Sequence, residues 1–311
     1  MTSSDDNKPI YAISGPTCSG KTALGVELAL RVGGEVINFD SVQIYKGIEI
    51  ATAKPTPEEM RGVPHHLIDY VEPTVKYTSA DWARDATKVI ENIESRGKVP
   101  ILVGGTGFYL RTLRNPLFES PKTDMKLREQ LRELHREKGA AHMYSLLVEV
   151  DPKLAATLEE NDHVRVIRAL EVFHQTGKRM SDLQPEREEA PEFASRIRLF
   201  VLSPPRDELY LKINARTEQH FANGLIDEVK HLRAAGVRDD TSALGAHSYR
   251  RVCEYLRGER DLESAIELSK QNVRNYAKRQ FTWFRGESDA IWLDGFGTRD
   301  GLVDDILCRK S

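Results

Sequence analysis

Residues Gly15–Thr22 read GPTCSGKT, a complete G-x-x-x-x-G-K-[ST] phosphate loop. The apolar run Ile10–Ile13 precedes this phosphate loop, and apolar residues at helical spacing follow it as far as Gly33. Strand, glycine loop and helix in this order are the context in which the motif binds phosphate. Main-chain N–H groups and the helix N-terminus attract an anion, Lys21 adds a positive charge, and the Thr22 hydroxyl can bind Mg²⁺. The stretch therefore predicts a site for a di- or triphosphate.

Length and composition are those of an ordinary globular protein. The 311 residues suffice for one large or two modest domains. The net charge is only −3, so a site for nucleic acid would have to arise from local clustering of basic residues. Cys18, Cys253 and Cys308 are too widely spaced for a disulfide framework or a zinc cluster. No segment resembles a signal peptide or a membrane span, and we expect a cytoplasmic enzyme.

The first part of the chain alternates between strand-like and helix-like segments. Further strand candidates are Val36–Phe39, Leu67–Asp69 and Pro100–Val103. This alternation predicts a parallel sheet with helices on both faces. The phosphate loop, Asp40 and the GGTG loop (Gly104–Gly107) each follow a strand candidate, so we expect them at the carboxyl end of the sheet, where ligands bind.

The pattern changes in the middle of the chain. Residues 121–195 read as helices with no strand between them, and the strand signal returns at Arg196–Leu202. Most of the remainder is helical, including Leu262–Arg285. The sequence therefore predicts an α/β protein of the phosphate-loop type. Its core would comprise residues 1–120 and 196–311, with a helical C-terminal region, and residues 121–195 would form a helical insertion domain.

Two segments beside the phosphate loop can carry chemistry. Asp40 could bind Mg²⁺ or act as a general base, although aspartate is also common as a turn residue after a strand. The GGTG loop has three glycines, which let a ligand approach the main chain, and Thr106 supplies its only side-chain hydroxyl. The same loop could also be a plain turn between a strand and a helix.

Basic residues form a stripe on the predicted C-terminal helix. Lys270, Arg274, Lys278 and Arg285 share one side of it, and aromatic residues lie beside them. Basic and aromatic side chains together suit an RNA backbone and unstacked bases. Charged stripes are also ordinary on surface helices, and the pattern alone favours that simpler interpretation.

Taken in chain order, the sequence resembles the bacterial tRNA dimethylallyltransferases. The resemblance covers nearly the whole length, and its specificity lies in the ordered set because each block alone is a weak signal. The blocks are GPTCSGKT (Gly15–Thr22), DSVQIYK (Asp40–Lys46), TAKP (Thr52–Pro55), PHHLID (Pro64–Asp69), LVGGTGFY (Leu102–Tyr109), RVIRALEV (Arg165–Val172), GLIDEV (Gly224–Val229) and KRQFTWFR (Lys278–Arg285).

The resemblance implies a reaction and its partners. A dimethylallyl group would pass from dimethylallyl diphosphate to the exocyclic N6 amine of the adenine 3′-adjacent to the anticodon of tRNA, with release of pyrophosphate. The implied partners are dimethylallyl diphosphate and the tRNA anticodon stem-loop, with no membrane. The implied cofactor is Mg²⁺ at Thr22, and we expect a monomer because RNA would occupy much of the surface.

The resemblance also implies roles for individual residues. Asp40 would accept the amine proton or a hydrogen bond from the amine, Thr106 would assist at the same centre, and Arg216 would clamp the pyrophosphate. The implied diphosphate-binding residues are Gly15, Pro16, Thr17, Cys18, Ser19, Gly20, Lys21 and Thr22. The implied tRNA-binding residues are Asp40, Ser41, Val42, Gln43, Thr106, Arg128, Arg165, Arg168, Lys278, Arg279, Gln280 and Arg285.

Three other functions share part of the pattern. A small-molecule kinase would use the phosphate loop for ATP and could use the insertion as a lid. An adenylate prenyltransferase would act on free AMP and would leave the insertion and the basic helix without a role. An RNA-binding protein that only senses nucleotide would retain its RNA affinity without Asp40 and Thr106. The ordered blocks favour the tRNA-modifying enzyme over all three.

Overall fold

The computed structural model of the protein describes residues 8–118, 121–185 and 189–309. In this part of the chain a single sheet has the strand order β3-β2-β4-β1-β5-β6, and every neighbouring pair is parallel. The predicted parallel α/β fold is thereby confirmed. The strands are β1 (Ile10–Ser14), β2 (Gly34–Asn38), β3 (His65–His66), β4 (Val99–Val103), β5 (Ile197–Ser203) and β6 (Ile291–Asp294).

Helices connect the strands and follow the sheet. In the described ranges they are α1 (Lys21–Val32), α2 (Pro57–Met60), α3 (Ser79–Ser95), α4 (Gly107–Arg114), α5 (Met125–Val150), α6 (Pro152–Ala155), α7 (His163–Thr176), α8 (Met180–Leu183), α9 (Arg206–Ala222), α10 (Leu225–Ala234), α11 (His247–Leu256), α12 (Leu262–Arg285) and α13 (Leu302–Cys308). A 3₁₀ helix (Glu192–Arg196) precedes β5. Within these ranges, no helix is long and apolar enough to cross a lipid bilayer.

Strands β1, β2 and β4 are almost wholly buried, as their apolar sequences predict. Alternate residues of β1 enter different cores: Ile10 packs in one, and Tyr11 packs in the other. Trp82 of α3 belongs to the first core and Leu24 of α1 to the second. The Trp82 indole also donates a hydrogen bond to the main-chain oxygen of Asn38 at 2.9 Å. This packing fixes the ends of β1, β2 and β4, from which the site is built.

One strand prediction was misplaced. The third strand is His65–His66, whereas the sequence pattern predicted Leu67–Asp69. Leu67 and Asp69 have positive φ angles of 57° and 53°, in the left-handed region. Such angles end an extended segment, so these residues form a turn.

The chain divides into two compact units. Residues 1–114 and 191–311 form the first unit, and residues 115–190 form the second. The second unit thus begins and ends a few residues earlier than the predicted insertion, 121–195. Phe193 explains the later difference, because it is buried in the core of the first unit. The second unit has a core of its own, in which α5 and α7 contribute residues such as Met143 and Leu170.

Candidate active site at the carboxyl ends of the strands

The phosphate loop joins β1 to α1 and depends on two glycines. Gly15 has a φ of 141°, and a Cβ there would lie 2.9 Å from Cβ of Leu202. Gly20 has a φ of 87° and stands at the N-cap of α1, where no side chain of the described residues caps the helix. Since the N–H groups of a first helical turn lack partners within the helix, they are available to an anion.

Two cations are held against the phosphate loop. The Lys21 ammonium donates a hydrogen bond to the Pro16 main-chain oxygen at 2.8 Å, and Arg216 of α9 donates one to the Thr17 hydroxyl. The pKa of Lys21 is lowered to about 8, chiefly by burial, with Asp40 opposing the shift and Arg216 adding to it. A diphosphate can replace these oxygens and take both cations as partners.

Asp40 stands in a tight turn directly after β2. Its Oδ1 accepts hydrogen bonds from the main-chain N–H groups of Val42 at 2.9 Å and Gln43 at 3.3 Å. Its Oδ2 has no hydrogen-bond partner among the residues that the structure describes. The turn therefore fixes the carboxylate through one oxygen and leaves the other for a ligand. This combines the two interpretations of Asp40, because it is a turn residue that also has a free acceptor.

The side chain of Gln43 is fixed by the TAKP block. Its Nε2 donates hydrogen bonds to the main-chain oxygens of Thr52 and Ala53, each at 3.0 Å. Of the two polar atoms of the Gln43 amide, only the nitrogen can donate to carbonyl oxygens, so the orientation of the amide is determined. Both donors of Gln43 are used inside the protein, and its Oε1 remains as an acceptor.

Thr106 bonds directly to the Asp40 turn. Its Oγ1 accepts a hydrogen bond from the Ser41 main-chain N–H at 3.0 Å and lies 3.3 Å from the Ser41 hydroxyl. The Thr106 N–H donates to the main-chain oxygen of Phe39 at 3.2 Å. The structure therefore brings Asp40, Ser41 and Thr106 together, as their positions after β2 and β4 predicted.

The glycines of the GGTG loop admit the protein's own side chains. A Cβ on Gly105 would lie 2.1 Å from the Gln280 amide nitrogen, and one on Gly107 would lie 2.1 Å from the Trp283 ring. The sequence pattern predicts that these glycines admit a ligand against the main chain. At Gly105 and Gly107, helix α12 fills that space.

A cavity connects these elements within the first unit. Asp40, Thr17 and Arg216 line it, and these three were predicted from the sequence. His220 and Tyr276 line it as well. The sequence pattern places Tyr276 only among the aromatic residues beside the basic stripe and gives no role to His220, because neither stands in a block that carries chemistry. Burial and the neighbouring Arg216 lower the pKa of His220 to about 4, so its imidazole is neutral at pH 7. Burial raises the pKa of Tyr276, which stays protonated.

The predicted RNA contacts on α12 divide into two groups. Lys278, Arg279 and Arg285 are exposed. Gln280 is only 4% exposed, and both atoms of its amide bond to main-chain groups of the loops. In the described structure Gln280 thus belongs to the framework of the site, and its contact with RNA stays a prediction.

The predicted RNA contacts in the second unit also differ from one another. Arg128 and Arg168 both pair with Glu171, which is fully buried, at 2.5 and 3.2 Å. Arg168 also donates to the Pro121 main-chain oxygen at 2.8 Å. Arg165 is 65% exposed, with Asp162 3.6 Å away. Arg165 is thus the most accessible of the three, and the other two stabilise the unit.

Fold and site together define an α/β enzyme of the phosphate-loop class, with an acidic turn and a hydroxyl-bearing loop beside the phosphate loop. The model of the IPP transferase family matches residues 43–287. The chain is 49% identical to the tRNA dimethylallyltransferase of Geobacter sulfurreducens over 92% of this chain and 91% of that protein. It is 43% identical to the one of Geobacter metallireducens, over 97% and 98% of the two chains. The chain therefore belongs to the tRNA dimethylallyltransferase family.

Solved structures agree with this assignment. The tRNA isopentenylpyrophosphate transferase of Bacillus halodurans superposes with a TM-score of 0.71 at 39% identity, over 97% of this chain and 96% of that one. A eukaryotic dimethylallyltransferase described as acting on tRNA superposes with a TM-score of 0.75 at 30% identity. That match covers 92% of this chain and 74% of the eukaryotic one. Similarity in sequence and similarity in structure thus indicate the same family.

Proposed function

We propose that this enzyme transfers a dimethylallyl group from dimethylallyl diphosphate to the exocyclic N6 amine of the adenine 3′-adjacent to the anticodon of tRNA. The observation that carries the proposal is the shared cavity of Asp40, Thr17 and Arg216 in a chain of this family. An acceptor carboxylate and a cationic diphosphate site face the same space. Substitution at a carbon that carries a diphosphate leaving group needs both.

The reaction balances with these groups. The amine nitrogen forms a bond to the allylic carbon, the C–O bond to the diphosphate breaks, and its electron pair leaves with pyrophosphate. Positive charge develops on the allylic group and negative charge on the leaving group. Lys21, Arg216 and the N–H groups at the start of α1, which lie together at the phosphate loop, would stabilise the leaving group. In this proposal the phosphate loop binds a leaving group and transfers no phosphate.

Asp40 supplies the acceptor side. The amine must lose a proton as the new N–C bond forms, and Oδ2 of Asp40 is the carboxylate oxygen left unoccupied by the turn. Thr106 and Ser41 hold the turn from the other side. The acceptor Oε1 of Gln43 suits an amine donor on a base, as the resemblance implied.

The donor set fits Mg²⁺ as the cofactor. Mg²⁺ in such sites takes one or two protein oxygens together with phosphate oxygens and water. Among the described residues no three His, Cys, Asp or Glu side chains are grouped to hold a metal. Thr22, partly exposed in the first turn of α1, is the hydroxyl that would hold Mg²⁺ beside the diphosphate. The ion would neutralise part of the diphosphate charge.

Exposed basic residues supply the RNA surface in this proposal. Lys278, Arg279 and Arg285 on α12, and Arg165 in the second unit, are exposed and would meet phosphates of the RNA. The adenine must leave its stack before its amine can reach a buried centre, as in other enzymes that act on bases.

We propose a monomer that works in the cytoplasm on the anticodon stem-loop.

The test follows a radiolabel from dimethylallyl diphosphate. Purified enzyme, Mg²⁺ and unmodified tRNA should give labelled tRNA, and AMP in place of tRNA should give none. Asp40→Asn should lose transfer, and Asp240→Asn, a change at an exposed aspartate paired with Arg238, should not. Labelled AMP would instead support an adenylate prenyltransferase. Consumption of ATP without any labelled product would support a kinase and refute the proposal.

A further inference from the structure

Gln280 lies between two loops that come from different strands. It stands on the buried edge of α12, and its Oε1 accepts a hydrogen bond from the main-chain N–H of Thr17 at 2.8 Å. Its Nε2 donates one to the main-chain oxygen of Gly105 at 3.0 Å. One side chain therefore bonds to the phosphate loop and to the loop that carries Thr106.

The chemistry of the two partners requires an amide at this position. A main-chain N–H needs an acceptor, and a main-chain carbonyl needs a donor, so a carboxylate or an ammonium would satisfy only one of them. Because the position is 4% exposed, water cannot readily replace the missing bond. Gly105 completes the fit, since a Cβ there would lie 2.1 Å from Nε2 of Gln280.

The two loops have separate tasks in the proposed reaction. Thr17 holds Arg216 through its hydroxyl while its N–H is held by Gln280. Thr106 holds the Asp40 turn through Ser41. Tyr276, one turn earlier on α12, interacts with both Thr106 and Gln280. A shift of α12 would therefore alter the distance between the leaving-group site and the acceptor site.

We propose that Gln280 is a positioning residue that sets the distance between the phosphate loop and the GGTG loop. Its amide acts through Thr17 on one side and Gly105 on the other. This role rests on the proposed prenyl transfer, but the state of the phosphate loop can be measured without any reaction.

The first experiment uses inorganic pyrophosphate with Mg²⁺ as the probe for the phosphate loop. Gln280→Met keeps the size of the side chain and removes both hydrogen bonds. We expect the Kd for pyrophosphate to rise roughly tenfold, the scale set by one buried hydrogen bond, with one site per chain retained. Gln271→Met, at an exposed glutamine of the same helix, is the matched control and should leave the Kd unchanged. A merely structural role would lower the number of sites and leave the Kd of the remaining sites unaltered.

The second experiment approaches the contact from its other side. Gly105→Ala should impair transfer because the new methyl group displaces the Gln280 amide. In the Gln280→Ala background that methyl group has room, so Gly105→Ala should add little further loss. Additive losses in this double-mutant cycle would overturn the proposal.

Failure of this inference is distinguishable from failure of the proposed function. If the wild type labels no tRNA, the prenyl-transfer proposal fails. If the wild type transfers label and Gln280→Met equals it in pyrophosphate Kd and in kcat, the positioning role alone is refuted.

Discussion

The phosphate loop and the GGTG loop look alike in sequence and differ in what their glycines do. Both are rich in glycine, and both follow adjacent parallel strands, β1 and β4. In the phosphate loop, Gly15 and Gly20 adopt positive φ angles, which turn the chain from β1 into α1. The first N–H groups of α1 have no side-chain cap among the described residues. In the GGTG loop, Gly105 and Gly107 allow α12 to approach the main chain. A glycine cluster thus marks close approach, and only the structure identifies what approaches.

Substitutions in the two loops should therefore have different effects. Changes in the phosphate loop should act on the ligand, and changes in the GGTG loop should act first on the packing of α12. The predictions below test this division, from the largest expected effect to the smallest.

Loss of the Lys21 charge should have the largest effect on the reaction. Lys21→Met keeps the aliphatic stem but removes the ammonium that would stabilise the leaving group in the proposed reaction. We expect kcat/KM for dimethylallyl diphosphate to fall by about 10²–10³, the usual range for loss of one group that stabilises developing charge. Steady-state kinetics with saturating tRNA measure it, and thermal unfolding should change little. A variant that keeps more than half of the wild-type kcat/KM would remove Lys21 from the site.

Substitution of Gly107 should act on stability. In Gly107→Ala the new Cβ would lie 2.1 Å from the Trp283 ring, so the ring or the helix that carries it must shift. We expect a loss of about 1–3 kcal/mol in the free energy of unfolding, typical of overpacking. Urea denaturation measures it. The comparison is Gly286→Ala at the end of α12, where φ is −81° and the nearest atom would be 3.3 Å away.

The cause of that loss can be isolated with a second substitution. In a Trp283→Leu background, the ring that blocks the methyl group is gone, so Gly107→Ala should cost less than in the wild type. An equal cost in both backgrounds would show that the GGTG loop does not depend on α12 for its shape.

The pH dependence of diphosphate binding should report on Lys21. Its pKa in the free protein is lowered to about 8, so below pH 8 the ammonium is charged and above pH 8 it is increasingly neutral. Affinity for dimethylallyl diphosphate without tRNA should therefore fall as the pH rises through about 8, by up to about tenfold per unit well above the pKa. Calorimetric titrations in two buffers should show proton uptake on binding in the same range. Lys21→Arg stays charged and should give a flat profile; a decline there would assign the titration to another group.

The part of the site that lies at the ends of the strands could be predicted from local sequence. The phosphate loop, Asp40 and Thr106 are each placed by a strand that ends just before them, and parallel strands bring such ends together. The turn at Leu67 was missed because positive φ at non-glycine residues leaves no compositional signal. Local patterns therefore predict which residues leave the sheet, but not every place at which the chain turns.

The contacts that α12 and the second unit contribute could not be predicted, because they join segments that are far apart in the sequence. Gln280 and Thr17 are 263 positions apart, and the sequence gives no sign that a glutamine in a basic stripe points inward. Arg128 and Arg168 were similarly predicted to meet RNA, and a buried Glu171 binds both. A basic residue in sequence indicates a charge, whereas its partner is decided by packing.

The smallest expected effects concern the exposed face of α12, which contrasts with its buried edge. Arg279→Ala removes one exposed charge, and a single phosphate contact contributes a modest, salt-dependent share of affinity. We expect tRNA to bind a few-fold more weakly at low salt, with the slope of log K against log salt reduced by roughly one. Filter binding over a salt series measures both, and pyrophosphate affinity should be unaltered. Arg84→Ala, at an exposed arginine of α3 that pairs with Asp81, is the control. If Arg279→Ala instead weakened pyrophosphate binding with tRNA affinity intact, the two sides of α12 would not have the separate tasks proposed for them.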